Sequence, residues 1–356
     1  MGSAHRRSFL MACGLSLVAV GARGLAREPP ASGAFAGDVA RLSEPSGAFD
    51  ADNLISNERS YLEVAPALAG RPIEGGAYIG VGPDQNFSYI ARVRPRAAYI
   101  IDIRRDNLLL HLLFKALFAE ARTRAEYLCL LTGRPVPYGT ERWRAAGVDQ
   151  LVAHVDQSTP WPDGPDAVDA LRRRLDHTIA GFGVPLSRAD LDTIARMHHT
   201  FIAEGLDLVF SSRGPAERRY FPASGYPTLR ELLTTRAVDG RQWSYLASED
   251  DFQFVKALQA RDAVIPVVGD VSGTHALVAI GAAIAARGER VSAFYISNVE
   301  AYLESDSAVS RFIDNLSRLP RDEASVMIRS VFNGGSSTSL VEAIDQTLAK
   351  ASRRGR

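Results

Sequence analysis

Four apolar runs in this 356-residue chain each end in residues able to do chemistry. The first closes on Gly80 and Gly82 and passes into Pro83, Asp84, Gln85 and Asn86. The second ends on Asp102, the third on Asp270, and the fourth on Asn298 and Glu300. Glycines at the end of a buried strand let the chain turn tightly and let a ligand approach the backbone closely. Asp102 follows Gly82 by 20 positions, near the spacing that puts an acid beside the ribose of a nucleotide held on the first glycine turn. Gly80, Gly82, Pro83, Asp84, Gln85, Asn86 and Asp102 are therefore candidate cofactor-binding residues. Asp270, Asn298 and Glu300 are candidate catalytic residues, placed to orient an acceptor or take its proton. Taken singly, each is more readily a cap or turn former than a catalyst; their shared place at strand ends gives them weight.

For these residues to meet, the runs that carry them must be neighbouring parallel strands. Residues 76–81 are short, apolar and β-prone, and Gly82-Pro83 breaks them before a predicted helix over 84–93. A strand follows over 97–103, apolar except for Asp102, as suits a parallel strand covered on both faces. Residues 107–121 read as a helix with leucine on most of its circumference. The pattern returns with strands at 262–270, 291–296 and 325–332 and a helix at 274–286. The expected fold is α/β, a Rossmann-like doubly wound and mostly parallel sheet, in which ligands sit outside the carboxyl ends of the strands. Its core is split between residues 52–132 and 262–350. A mostly helical insertion or lid over 133–261 separates them, with helices at 167–179, 188–204 and 250–260.

Residues 1–26 read as a twin-arginine export signal: Arg6-Arg7 precedes Ser8-Phe9-Leu10 and a short apolar stretch, with small residues for cleavage after it. That predicts a periplasmic protein with no stable membrane span after cleavage, because the stretch is too short for a permanent helix. Residues 27–51, rich in Pro, Ala, Gly and Ser, read as a linker. The polar cluster Asn57, Glu58, Ser60 and Tyr61 then precedes the glycine turn, as a capped surface helix or as ligand-facing groups. Beyond Cys13 the only cysteine is Cys129, in an apolar setting, so the mature chain has no intramolecular disulfide and a core must hold it.

Composition permits such a core, with 46% hydrophobic residues. Charge argues against nucleic acid as a partner. Basic and acidic residues balance at 41 each, and removal of residues 1–26 takes three arginines with it. There is no Walker-type loop, no His-Glu-x-x-His and no Cys-x-x-Cys, so neither a P-loop nor a metal site is expected. His198 and His199 are adjacent in a predicted helix and point about 100° apart, unlike an i, i+4 metal pair. His111 reads as a structural histidine. The partner is expected to be a small molecule. An acid at Asp84, at a helix start, disfavours a phosphate there. S-adenosylmethionine carries no phosphate, and its sulfonium and amino groups suit carboxylates. Arg104 and Arg105 are free either to pair with Asp106 or to grip an acidic substrate.

The blocks SNERSYLEV, GGAYIGVGPDQNFSYIARVRPRAAYIIDIRR, VIPVVGD and FYISNVEAYL resemble an uncharacterised bacterial family, a domain of unknown function. Its fold looks like that of the S-adenosylmethionine-dependent methyltransferases. The resemblance spans residues 52–332 and implies a Rossmann-like core with the cofactor region at Gly80, Gly82 and Asp102. It implies no established activity. Tyr78 and Ile79 stand where active methyltransferases usually carry an acid in the first strand. Two expectations follow. One is an exported protein that binds S-adenosylmethionine or a related nucleoside and transfers a methyl group to an unknown acceptor. The alternative is a non-catalytic periplasmic small-molecule-binding protein on a degenerate methyltransferase scaffold.

Overall fold

The computed structural model describes residues 33–49, 51–160, 164–211, 225–303, 305–333 and 336–354. The export-signal reading of residues 1–26 lies outside them. Six strands form one sheet: β1 (Ala77–Val81), β2 (Ala97–Asp102), β3 (Val264–Val268), β4 (Val291–Ser297), β5 (Val326–Asn333) and β6 (Ser336–Ala343). Their order is β3-β2-β1-β4-β5-β6. The first five are parallel, and β6 returns antiparallel to β5. Every residue of β1 and of β3 is buried, so helices cover both faces of the sheet's parallel part. The chain thus has an α/β fold with a mostly parallel sheet. Strand order reverses at β1, which takes β2 on one side and β4 on the other.

Local sequence explains most of the helices. Gln85–Val93 starts after Pro83 and ends where Arg94 turns left-handed, at φ 45°. Arg105–Glu120 carries nine leucine, phenylalanine and alanine core residues from Leu108 to Phe118 and packs against both β2 and β3. Ring edges and faces of Phe87, Phe114, Phe118, Tyr127, Tyr245 and Phe252 meet between this helix and its neighbours. Between β2 and β3 the described residues form helices and two isolated bridges, Val209 to Thr228 and Arg236 to Gln242. Among the described residues no helix is long and apolar enough to cross a membrane.

Three local expectations change. Residues 27–51 are not simply a linker, because Ala34–Leu42 is a helix with Phe35, Val39 and Leu42 buried against β3. That i, i+4, i+7 spacing is a helix face hidden in a Pro- and Ala-rich composition. Phe35 also lies over the buried ammonium of Lys115, which Phe182 faces from another side and Asp262 pairs at 2.8 Å. Next, the polar cluster at residues 57–61 does not form the capped surface helix that is one reading of it; the helix there is Ala65–Ala69, where Pro66 suits the first turn. Finally, the segment NGGSS after the strand at 325–332, which reads as a loop, runs at Ser336 into a strand the sequence does not announce, β6. This edge strand has a hydroxyl-rich sequence, Ser-Ser-Thr-Ser, that gives no apolar alternation.

Candidate functional site

A cleft of about 520 Å³ lies across the carboxyl ends of β1 to β4, at the point where strand order reverses. Gly82 and Gln85 line it from the turn after β1, Asp102 and Arg104 from β2, Gly269 to Ser272 from β3, and Ser297 and Asn298 from β4. One wall is formed by residues 48, 49 and 51–57 and the other by residues 298–303 and 305–311. Phe49 and Tyr302 join the walls edge to face, their rings 4.9 Å apart. Gly82 needs its glycine, at φ 81°. Two other cleft residues, Asn53 (φ 52°) and Ser297 (φ 58°), are left-handed without being glycine. Such backbone costs about 1–3 kcal/mol and clusters at functional sites.

Of the residues singled out by sequence, Gly82, Gln85, Asp102, Asp270 and Asn298 line this cleft. Gly80, Pro83, Asp84, Asn86 and Glu300 are not among its lining residues. Asn86 is fully buried and turned inward: its Nδ2 reaches the carbonyls of Val81 (2.9 Å), Gly82 (3.2 Å) and Pro83 (2.7 Å), and its Oδ1 accepts from the Tyr78 hydroxyl at 2.8 Å. It is the brace of the glycine turn. Gly80 is glycine for the same reason, since a Cβ there would lie 1.9 Å from Asn86 Oδ1. Asp84 accepts from Tyr245 at 3.2 Å, and burial pushes its carboxyl up to about 6. Glu300 ion-pairs with Arg329 at 3.1 Å.

The two acids that do line the cleft are engaged by its own walls. Asp102 Oδ1 accepts from the backbone N–H of Arg104 (2.9 Å) and from its Nε (3.1 Å), and Oδ2 accepts from Nη2 (3.0 Å). The same guanidinium donates through Nη1 to the carbonyls of Ala51 and Asp52, both 3.0 Å. This pair staples the 51–57 wall to the end of β2, and Arg104 is thus not paired with Asp106. Arg105 turns away to Asp190 (2.8 Å). Asp270 accepts from the N–H and hydroxyl of Ser272, at 2.8 and 3.0 Å. Glu44 in turn accepts from the backbone N–H of Asp270 at 2.7 Å. At the rim, exposed Arg311 uses Nε on the carbonyl of Ser272. What remains facing the cleft is chiefly neutral: amides of Asn53, Asn57, Gln85 and Asn298, several hydroxyls, and the rings of Phe49, Phe210 and Tyr302.

Beneath Ser297 lies Glu58, with no solvent exposure. Its carboxyl contacts the hydroxyls of Ser297, Ser330 and Tyr295, the last at 2.7 Å. Burial pushes its pKa above the ordinary carboxyl value, against the pull of those hydroxyls. Tyr295 also accepts from Gln85 Nε2 at 3.3 Å. Hence Glu58 connects the β1 turn to the end of β4. On the other side of the turn, His111 Nε2 meets the Gly82 carbonyl at 2.9 Å, and burial lowers its pKa to about 4, so it is neutral and donates.

The chain matches the family described as Domain of unknown function (DUF7790) over residues 54–136 and 225–351. The chain belongs to that family. No curated protein matches it. Both matched blocks of this DUF7790 chain reach the cleft, the first with Asn57, Gly82, Gln85, Asp102 and Arg104, the second with Asp270, Ser297, Asn298 and Arg311. Ser297, Asn53 and Phe49 also line the cleft, and nothing marks them out in the sequence of the DUF7790 chain. Their signal is conformational: nothing in residue type announces a left-handed serine at a strand end. Glu58 was within reach, as one of four polar residues ahead of the first strand. Among the described residues, no three His, Cys, Asp or Glu side chains gather as a metal would require. His198 is buried on the Leu130 carbonyl at 3.0 Å, and burial pushes the Cys129 thiol up to about 12.

Proposed function

We propose that this protein binds a small, largely neutral molecule of the nucleoside class in the cleft at the strand-order reversal, on a Rossmann-like core of the methyltransferase type. The observation that carries the reading is the lining: amides, hydroxyls and three aromatic rings around about 520 Å³ at the carboxyl ends of four parallel strands. The order β3-β2-β1-β4-β5 and the antiparallel last strand support that core. S-adenosylmethionine suits the lining in size and in its lack of phosphate. Asp102, at the end of β2, is the residue placed for a ribose hydroxyl, through the one acceptor site that Arg104 leaves on its Oδ2.

Binding is favoured over methyl transfer because the cleft acids are committed to its walls, Asp102 to Arg104 and Asp270 to Ser272. The reading is therefore a binding protein on a methyltransferase scaffold, in the periplasm if residues 1–26 direct export. Native mass spectrometry and thermal shift of the purified protein, with S-adenosylmethionine, S-adenosylhomocysteine or adenosine, test it. A retained nucleoside, or stabilisation that grows with ligand concentration, supports the proposal. No shift with any of the three at millimolar concentration sinks it.

A further inference from the structure

Gln85 and Asn298 flank the strand-order reversal, and each keeps one buried polar atom without a partner, Gln85 Oε1 and Asn298 Nδ2. Both residues line the cleft, and they are only 5% and 9% exposed. Which amide atom each has left over is decided by Glu58. Its Oε2 accepts protons from Tyr295 and Ser330, which fills that oxygen. Tyr295 has then spent its only proton, so it must accept from Gln85 Nε2, and Gln85 Oε1 is fixed as a free acceptor.

Ser297 is placed differently. Its single hydroxyl proton faces two acceptors, Glu58 Oε1 and, at 3.2 Å, Asn298 Oδ1. Both contacts are hydrogen bonds only if a second proton sits on Glu58 Oε1. Glu58 then donates to Ser297, Ser297 donates to Asn298 Oδ1, and Asn298 Nδ2 is left as a donor. If Glu58 ionises, Ser297 must donate to the carboxylate. Asn298 then turns its amide to give Nδ2 to the serine oxygen and presents Oδ1 instead. Burial favours the protonated form of Glu58. The titratable groups facing it are Tyr78 of β1, Tyr89 of the Gln85–Val93 helix and Tyr295 of β4, all held neutral by burial. Among the described residues no basic side chain bonds Glu58. Arg329, beside Ser330 on β5, is paired with Glu300 and Glu342.

We propose that Gln85 and Asn298 form a recognition pair for a ligand edge offering one donor beside one acceptor, as the amidine edge of adenine does, and that Glu58 sets the polarity of the Asn298 half through Ser297. Naming adenine rests on the nucleoside reading; the relay itself does not. Two buried, opposite and unfilled hydrogen-bonding atoms at one junction reject a ligand that lacks either partner, because the unmatched atom stays desolvated.

The experiment follows the Asn298 side-chain amide by nitrogen-15 NMR in the full chain across pH, with infrared detection of the Glu58 carboxylic acid. The expected result is a protonated Glu58 at neutral pH and an Asn298 amide that shifts with the same midpoint as Glu58 when it ionises. Glu58→Gln, which donates permanently, should abolish that shift. Ser297→Gly, which suits φ 58° and removes the relay, should uncouple Asn298 while the Glu58 acid signal remains, and it decides the matter alone if Glu58→Gln fails to fold. An ionised Glu58 at neutral pH, or the same Asn298 titration in Ser297→Gly, overturns the relay. Adenosine then separates the two proposals. Affinity that falls about tenfold as Glu58 ionises, and stays level in Glu58→Gln, supports both. Binding with no such dependence overturns the relay and spares the nucleoside reading, whereas an intact relay with no adenosine binding does the reverse.

Discussion

The role of Gly80 can be tested by filling its space. Gly80 is not in the left-handed region, so Gly80→Ala asks nothing unusual of the backbone. Its cost comes from the new methyl group, placed 1.9 Å from Asn86 Oδ1 and 2.7 Å from the Tyr78 hydroxyl. Asn86 is fully buried and must move, giving up its bonds to the carbonyls of Val81, Gly82 and Pro83 and to Tyr78. Overpacking costs about 1–3 kcal/mol, and each buried polar group left unpaired adds about 1–3 kcal/mol. A loss of roughly 3–5 kcal/mol is therefore expected for Gly80→Ala. Asn86→Ala alone should cost about 2–3 kcal/mol, through the bonds it breaks. In the double variant the alanine methyl enters space the asparagine has vacated, so Gly80→Ala should add less than about 1 kcal/mol there. Urea denaturation of the four proteins measures the cycle. Simple additivity would refute the reasoning and return Gly80 to the role of a ligand-approach glycine.

Two further predictions concern pH. Burial lowers His198 to about 4 from an ordinary 6.5, so its contribution is fully present above 6.5 and is lost as pH falls through 4. The total is at most about 3 kcal/mol. His198→Gln, which can still donate to the Leu130 carbonyl, should flatten the acid limb of stability against pH by that amount; an unchanged limb counts against it. Asp84 runs the other way. Its carboxyl is raised from 3.8 to about 6, so stability falls as pH rises across that window and is level above it. Asp84→Asn keeps an acceptor for Tyr245 and should stabilise the protein by up to about 3 kcal/mol at neutral pH, with no gain below about pH 4. A pH-independent difference between the two proteins would mean that the shift is not the cause.

Much of the fold was legible because its parallel strands are buried on both faces. Residues 77–81, 97–102, 264–268 and 291–297 are apolar runs closed by polar residues, and the residues after them meet as expected. Elements whose apolar surface is small or interrupted were not legible. β6 carries serine and threonine because its inner face joins a hydroxyl network with Ser60 and Ser330, and Ala34–Leu42 hides three core residues among small ones. The site was legible in location and only half in composition. Sequence gives the residues at the turn, but not which way each side chain goes. Asn86 and Asp84 face inward while Gln85 between them reaches the cleft, since successive helical residues point about 100° apart. Asp102 was correctly placed at the strand end. Its engagement by Arg104 depends on the wall of residues 51–52, whose path no local pattern reveals.

The central strand has a consequence for how the molecule is made. Ala77 pairs with Ala97 on one side and with Val291 on the other. One partner is available almost as soon as β1 exists, and the other only when most of the chain has been synthesised. Until then one edge of β1 has no neighbour, and late pairings of this kind are slow to form. The cleft sits on that seam, with Gly82 and Gln85 from the early half and Ser297 and Asn298 from the late half. It cannot exist in any partly folded species that lacks the second half. Occupancy of the site is thus a certificate of completed folding, and a ligand bridging the seam would hold together the two ends of the synthesis.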